Sequence, residues 1–394
     1  MTSGSHAARR RAILAAGVFL LTASGLLVAR ALGRAAAELV RPIRTDRSDD
    51  VFVESIDSDR RRIWLRGSAE VGLSGRYAVW LGRTGRSLQL GEVTNARPGV
   101  WEREILDGDA PGYRGRGSWS GWFHRAPEDV AERVEEVLVT GEHGPLPAWL
   151  FLAPGHTRET STDWVIAIHG RGTTRAEVLR AVPAIHRAGW SVAAVSYRND
   201  GAAPASARGA YGLGSTEWRD IDAALNMLRT RGAVRVVLMG WSMGGAIAVQ
   251  AARRSGHADL LAGLILESPA LDWRDILRTR ARERHLPKIS GTVVAGILGT
   301  RSGAHFAGAD GPIDFSDIDA TAHAHAWAWP TLILHSSADD FVPSGPSERL
   351  AAARPERIEL ELFEQAAHTK MWNMWPERWE SRITRWLQSA PRGA

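Results

Sequence analysis

The sequence predicts an α/β fold: a mostly parallel sheet with helices on both faces, preceded by a small β-rich module. Three observations carry that prediction. From about residue 134 onward, short apolar runs alternate with helix-patterned segments, as strands and crossover helices do when they follow one another. Several runs, "WVIAIHG" and "SVAAVSY" among them, are almost continuously apolar, the pattern of strands buried on both faces. Residues 45–133 instead carry short runs with partial period-two alternation between Gly-rich turns, and helical periodicity is not evident there until "PEDVAERVEE" near their end.

Taken in order, residues 1–44 hold an uncharged run from Ala12 to Ala29 with arginines on both sides. At about 1.5 Å per residue the run spans roughly 27 Å, close to the ~30 Å of a bilayer core. It predicts a single-pass membrane helix. A cleaved signal peptide is the alternative, with "ARA" at Ala29–Ala31 as its cleavage site and "RRRAIL" faintly resembling a twin-arginine signal. The Arg9–Arg11 cluster on a very short tail favours the N-terminus inside and the main body outside. The same segment accounts for the net charge of +5: residues 1–47 carry eight arginines against Glu38 and Asp46, a balance of +6, so the other 347 residues sum to −1. A nucleic-acid footprint on the main body is therefore not supported. The chain has no cysteine, which removes disulfides, thiolate nucleophiles and cysteine-ligated zinc together.

The β-rich module, residues 45–133, is read from "RRIWLRG", "RYAVWLG" and "SLQLGEV", with "EEVLVTG" at its junction to the main body and turns at "GLSG" and "GRTGR". Its tryptophans, Trp64, Trp80, Trp101, Trp119 and Trp122, are expected in a core and not as ligand-stacking platforms. The main body, residues 134–390, contributes strands at "PAWLFLA", "WVIAIHG", "SVAAVSY", "VRVVLMG", "LAGLILES", "TLILHS" and "IELELFE". Between most of them lie the helical segments "TRAEVLRAVPAIHRAG", "STEWRDIDAALNMLRTRG", "MGGAIAVQAARRSG" and "PSERLAAARP". The second puts Trp218, Ile221, Leu225 and Leu228 on one face with Gly232 as its stop. Trp379, Ile383 and Trp386 form a core-facing stripe in a last helix that starts near Pro376. Residues 270–325 are inserted ahead of "TLILHS", and their apolar stretch "TVVAGILGT" predicts a lid over a hydrophobic pocket.

One motif places chemistry on this frame. "GWSMG", Gly240–Gly244, sits where the strand "VRVVLM" turns directly into a helix. A serine there occupies a strained turn that lifts its hydroxyl above the sheet, small neighbours let strand and helix close around it, and the helix N-terminus aims N–H groups at an oxyanion. Ser242 is thus the candidate nucleophile. A serine hydroxyl needs a base held by a carboxylate. Asp339 and Asp340 follow the strand "TLILHS", and His368 lies on the loop after "IELELFE". Loops at those strand ends converge over the serine.

Here the sequence resembles the α/β-hydrolase superfamily, over about residues 135–390. The family's catalytic acid is commonly the Asp of an "HGxxDxxVP" stretch. In "HSSADDFVP" the resemblance gives that role to Asp339, with Ser336 in place of the usual glycine and Asp340 as the lesser candidate. His368 in "AAHTKMWN" matches the family's histidine loop. "SYRNDGAAPAS", "GSTEWRDIDAAL" and "ESPALDW" look like a bacterial branch of membrane-anchored serine hydrolases with a β-rich N-terminal extension. The oxyanion donors implied are the backbone amides of Met243 and of Arg171 in "HGRG", with Gly170 and Gly172 allowing close approach.

The resemblance implies a serine hydrolase of the esterase type, acting on a small-molecule ester or peptide, with no metal or organic cofactor. A peptidase with the same triad is the nearest alternative, and a catalytically silent membrane-anchored binding protein is the alternative from another class. His323 and His325 in "AHAHAWAW" have H-x-H spacing but no carboxylate or cysteine partners nearby, so a surface segment is expected and not a metal site. Arg198 and Asp200 face the expected cleft, either paired with each other or touching substrate. Trp241 is expected to be buried or to edge the acyl site.

Overall fold

The computed structural model describes residues 28–43, 49–124, 126–287 and 289–390. The run expected to cross a membrane, Ala12–Ala29, lies outside them except for its last two residues. Among the described residues no helix is long and apolar enough to cross a membrane. Residues 28–40 are helical (α1). Ala36 and Val40, four apart, are buried in the main core with Leu32, Ala35 and Leu39 packed beside them, an apolar stripe at helical spacing. The sequence reading had assigned these residues to the anchor segment. Here they are seated on the main body.

Six antiparallel strands then close a barrel in the order β1-β2-β5-β4-β3-β6. They are β1 Val51–Asp57, β2 Arg62–Arg66, β3 Tyr77–Trp80, β4 Ser87–Arg97, β5 Val100–Asp107 and β6 Gly115–Ser120. Alternate residues such as Val51 and Val53, Ile63 and Leu65, and Leu88 and Leu90 fill its interior, as period-two patterning requires. Arg103 is fully buried. Its guanidinium donates to the carbonyls of Val71, Leu73, Gly75 and Gly91 and lies over the rings of Tyr77 and Trp119 at 5.2 and 5.3 Å. Burial pulls its pKa down to about 10, so the charge persists at neutral pH.

The main sheet has eight strands among the described residues, ordered β14-β13-β12-β11-β9-β10-β8-β7. They are β7 Glu135–Gly141, β8 Gly144–Phe151, β9 Asp163–Ile168, β10 Ser191–Val195, β11 Arg235–Trp241, β12 Leu261–Glu267, β13 Thr331–Ser336 and β14 Ile358–Phe363. β7 and β8 pair antiparallel and β8 pairs antiparallel with β10, whereas β10, β9, β11, β12, β13 and β14 run parallel. "EEVLVTG" therefore belongs to this sheet as β7. Only Pro127–Asp129 of "PEDVAERVEE" is helical, a single 3-10 turn, because the residues after it are drawn into the β7–β8 ladder and against the second core.

The helices are α2 Val182–Arg187, α3 Trp218–Thr230, α4 Met243–Arg254, α5 Trp273–Glu283, α6 Ile289–Gly299, α7 Arg301–Ala307, α8 Gly345–Ala353, α9 Met371–Met374 and α10 Pro376–Ser389. Strand residues alternate between two cores. Ile166, Ile168, Val236 and Leu238 face the side holding α3, α4 and α1. Val165, Ala167, Val237 and Met239 face α2 and α10, including Trp379, Ile383 and Trp386. Such two-sided burial explains the continuous apolar runs. The insertion at 270–325 folds into α5, α6 and α7, stacked on the first core.

Candidate active site

β9 and β11 are neighbours at the point where strand order reverses, since β10 lies on one side and β12 on the other. Open α/β sheets bind ligands in the crevice at such a point, outside the carboxyl ends of the strands. Ser242 stands there, directly between β11 and α4, with φ 52° and ψ −115°. That conformation costs a non-glycine residue about 1–3 kcal/mol. Its surroundings hold it: Ser242 N donates to Glu267 O at 2.9 Å, and Ser242 O accepts from the amides of Gly245 and Ala270 at 3.0 Å each. The neighbouring glycines are sterically required. A Cβ on Gly244 would lie 2.1 Å from Ile168 O, and one on Gly240 would lie 2.3 Å from Gly244 O.

His368 and Asp339 arrive from the other half of the sheet. Nε2 of His368 is 2.9 Å from Ser242 Oγ, and Nδ1 lies 2.8 and 3.0 Å from the carboxylate oxygens of Asp339. The Asp339 side chain is buried, and its Oδ1 also accepts from the amides of Phe341 and Val342 at 2.9 and 2.8 Å. Its Oδ2 is 3.5 Å from Nε2 of His335. Burial works against its charge, but the hydrogen bonds from His335 and His368 outweigh burial and hold the carboxyl well below the usual carboxylate range. It is an anion at neutral pH. Asp340 takes a different job: its Oδ1 accepts from the His368 amide at 3.1 Å and does not engage the imidazole. Phe341 leans on the imidazole with ring centroids 5.3 Å apart.

The loop after β9 approaches the serine from the opposite side. A Cβ on Gly170 would lie 3.4 Å from Ser242 Cβ, so one methyl group would fill the gap between this loop and the elbow. Among the described residues no hydrogen-bond acceptor takes the amide of Met243 or of Arg171, which leaves both N–H groups available. The Gly170 amide, by contrast, is committed to Glu177 Oε2 at 2.8 Å. The Arg171 side chain turns away from the relay and donates to Glu38 O at 2.5 Å and Arg41 O at 3.2 Å.

A family model for serine aminopeptidases, S33 (Hydrolase_4) matches residues 160–304, a span that holds Ser242, Met243 and Arg171 but ends before Asp339 and His368. No curated protein matches the chain. An esterase of Pyrococcus furiosus is similar at 19% identity, with TM-score 0.51 over 67% of this chain and 94% of that one. A second crystal form of the same esterase gives 18% identity and TM-score 0.50 over 67% and 96%. The fold is that of the α/β hydrolases.

Within this α/β-hydrolase fold, several supporting groups escaped the sequence reading. Glu177, Arg180 and Glu267 are buried beneath the site. Glu177 accepts from Gly170 N and Thr173 Oγ1, Arg180 donates to Thr369 O, next to His368, at 3.0 Å, and Glu267 accepts from Trp379 Nε1 at 3.0 Å. One guanidinium thus ties the β9 loop, the end of β12 and the His368 loop together, with 3.6 Å to Glu177 and 3.9 Å to Glu267. Burial of Glu267 raises its pKa despite Arg180. The only sequence signal was an acid closing the apolar run "LAGLILE".

Arg198 and Asp200 do not pair with each other. Arg198 engages Asp220 at 2.7 and 2.9 Å and Glu142 at 3.0 Å, and Asp200 bonds His169 Nε2 at 2.8 Å. Both are buried and committed. Trp241 is fully buried, with Arg180 5.6 Å from its ring. Among the described residues no cluster of His, Cys, Asp and Glu has the makings of a metal site. The His325 and Ala324 carbonyls accept from Arg354 instead.

Proposed function

We propose that this chain is a serine hydrolase that cleaves carboxylic esters through an acyl-enzyme. The observation that carries the reading is the continuous relay from Asp339 through His368 to Ser242 Oγ, at 2.8 and 2.9 Å, on a strained strand-to-helix turn. Ser242 Oγ attacks the ester carbonyl while its proton passes to His368 Nε2. The Asp339 carboxylate fixes the imidazole tautomer and stabilises the imidazolium. Charge on the carbonyl oxygen is taken up by the amides of Met243 and Arg171, each such donor contributing about 3 kcal/mol in comparable sites. His368 then protonates the departing alcohol, and water deprotonated by the same nitrogen releases the acid. None of these steps calls for a metal or organic cofactor.

A serine peptidase is the second reading, and the family description that matches residues 160–304 favours it. Side-by-side kcat/KM values on p-nitrophenyl esters and on aminoacyl and peptidyl p-nitroanilides separate the two. Ester cleavage well above anilide cleavage supports the esterase reading, and the reverse order replaces it with the peptidase. The run Ala12–Ala29 supports a membrane-tethered enzyme with its catalytic body outside the membrane. Carbonate extraction of membranes carrying the full chain should leave the protein in the pellet. Release into the supernatant would remove the tether.

A further inference from the structure

Beside the relay lies a cavity of about 500 Å³, within the ~300–1,000 Å³ of small-molecule sites. One wall is α1, through Leu32, Ala35 and Leu39, and the facing wall is the insertion, through Ile276 and Leu277 of α5 and Val294 of α6. Phe341 and Arg171 also line it. The Phe341 ring is tilted against that of His368 with centroids 5.3 Å apart, and Arg171 follows Gly170, where an added Cβ would lie 3.4 Å from Ser242 Cβ. The cavity therefore lies next to the relay, with Phe341 between them, and has two largely apolar walls. Four arginines, Arg41, Arg171, Arg280 and Arg284, also reach it; Arg171 is bonded to the carbonyls of Glu38 and Arg41, and Arg280 to Glu283 and to Asp340 O.

The α1 wall is fixed in place by contacts with the site itself. Val40 O accepts from Tyr211 N at 2.7 Å, and Arg171 takes Glu38 O and Arg41 O, carbonyls at the helix C-terminus that have no partner within the helix. Ile43 covers the oxyanion loop, since a Cβ on Gly172 would fall 2.8 Å from Ile43 Cδ1. On the facing wall, Gly291 allows α6 to lie on the α5 backbone; a Cβ there would meet Leu277 C at 2.8 Å. Neither wall belongs to the sheet that carries the catalytic groups.

From these contacts we infer that the space between α1 and α5–α6 binds an aliphatic chain of the ester substrate, making α1 a determinant of chain length. The inference rests on the esterase reading for its chemistry. Its physical basis is separate: a methylene moved from water to such a lining is stabilised in proportion to the apolar area covered, whereas an acetyl group reaches none of it.

The test uses the full chain and two series of probes. Chain length is varied on the acyl side with p-nitrophenyl acetate, octanoate and laurate, and on the alcohol side with ethyl, octyl and dodecyl acetate. Long chains should be preferred by about tenfold or more in kcat/KM in one series, which also identifies the half of the ester that enters. Ala35→Trp, from the α1 wall, and Leu277→Trp, from the facing wall, should each collapse that preference. In parallel, binding of cis-parinaric acid is followed by fluorescence in Ser242→Ala, with and without each tryptophan. Saturable binding weakened by both substitutions supports the site without any turnover. A flat chain-length profile in both series, or fatty-acid binding indifferent to both tryptophans, overturns it. Absence of hydrolysis together with intact fatty-acid binding would remove the esterase reading and leave the chain site standing.

Discussion

The relay and the cavity beside it are built in opposite ways. The relay hangs on the carboxyl ends of the parallel strands β11, β13 and β14, with bonds of 2.8–3.0 Å between its members. The cavity is walled by segments outside the sheet, one before the barrel and one inserted before β13, and its lining is mostly apolar side chains. The relay is held by the sheet, while the cavity is shaped by segments outside it. The two should respond differently to substitution: relay changes should abolish turnover of every substrate, and cavity changes should alter the ranking among substrates.

The largest effect is expected at the relay. Ser242→Ala and His368→Ala should each lower kcat by about 10⁴-fold or more on short and long esters alike. Circular dichroism and the thermal midpoint should stay close to the parent, because Ser242 and His368 pack few atoms into either core. Asp339→Asn should follow at about 10⁴-fold, since it reverses the hydrogen bond to the imidazole. Asp340→Asn should cost far less, as its carboxylate supports only the His368 amide. Equal losses from Asp339→Asn and Asp340→Asn would break the assignment of the acid.

Gly244→Ala comes next and acts on the scaffold. The new methyl must displace the backbone of Ile168 and His169, so a loss of about 1–3 kcal/mol of stability by denaturant titration is expected. Arg171→Ala leaves the oxyanion amide in place but releases α1. It should raise KM for long esters more than for acetate and speed proteolysis near residue 40, with about 1–2 kcal/mol lost from the charged hydrogen bonds.

The smallest effect is in acid. The carboxyl of Asp339 is held low in the folded state, so its contribution to stability is complete above the unfolded value of about 3.9 and is lost as pH falls below it. The stability gap between the parent and Asp339→Asn, measured by urea denaturation, should therefore close as the pH is lowered from neutral through that value. A gap that stays constant would deny the charge at this position its role.

What the sequence disclosed follows the same division. The G-x-S-x-G turn was legible because steric demands at the elbow leave few alternatives, and Asp339 and His368 were legible because they follow strands with unmistakable two-sided burial. Asp339 stood out over Asp340 only by resemblance to a family pattern. The buried Arg180 bridge was not legible, since its partners Glu177, Glu267 and Thr369 are brought together only by tertiary folding. Nor was α1: Leu32, Ala36 and Val40 have the spacing of a docked helix, but they directly follow a longer apolar run that masked it. Half of the barrel, β1, β5 and β6, escaped because polar and charged residues interrupt their alternation, with a register shift between Val53 and Ser55 in β1.

The most direct test of the relay is labelling of the full chain with a short fluorophosphonate, followed by mass mapping of the modified residue. This account predicts one adduct, on Ser242, that is lost in His368→Ala and strongly slowed in Asp339→Asn while Asp340→Asn still labels. Labelling at another serine, or undiminished labelling of Ser242 without His368, would contradict it.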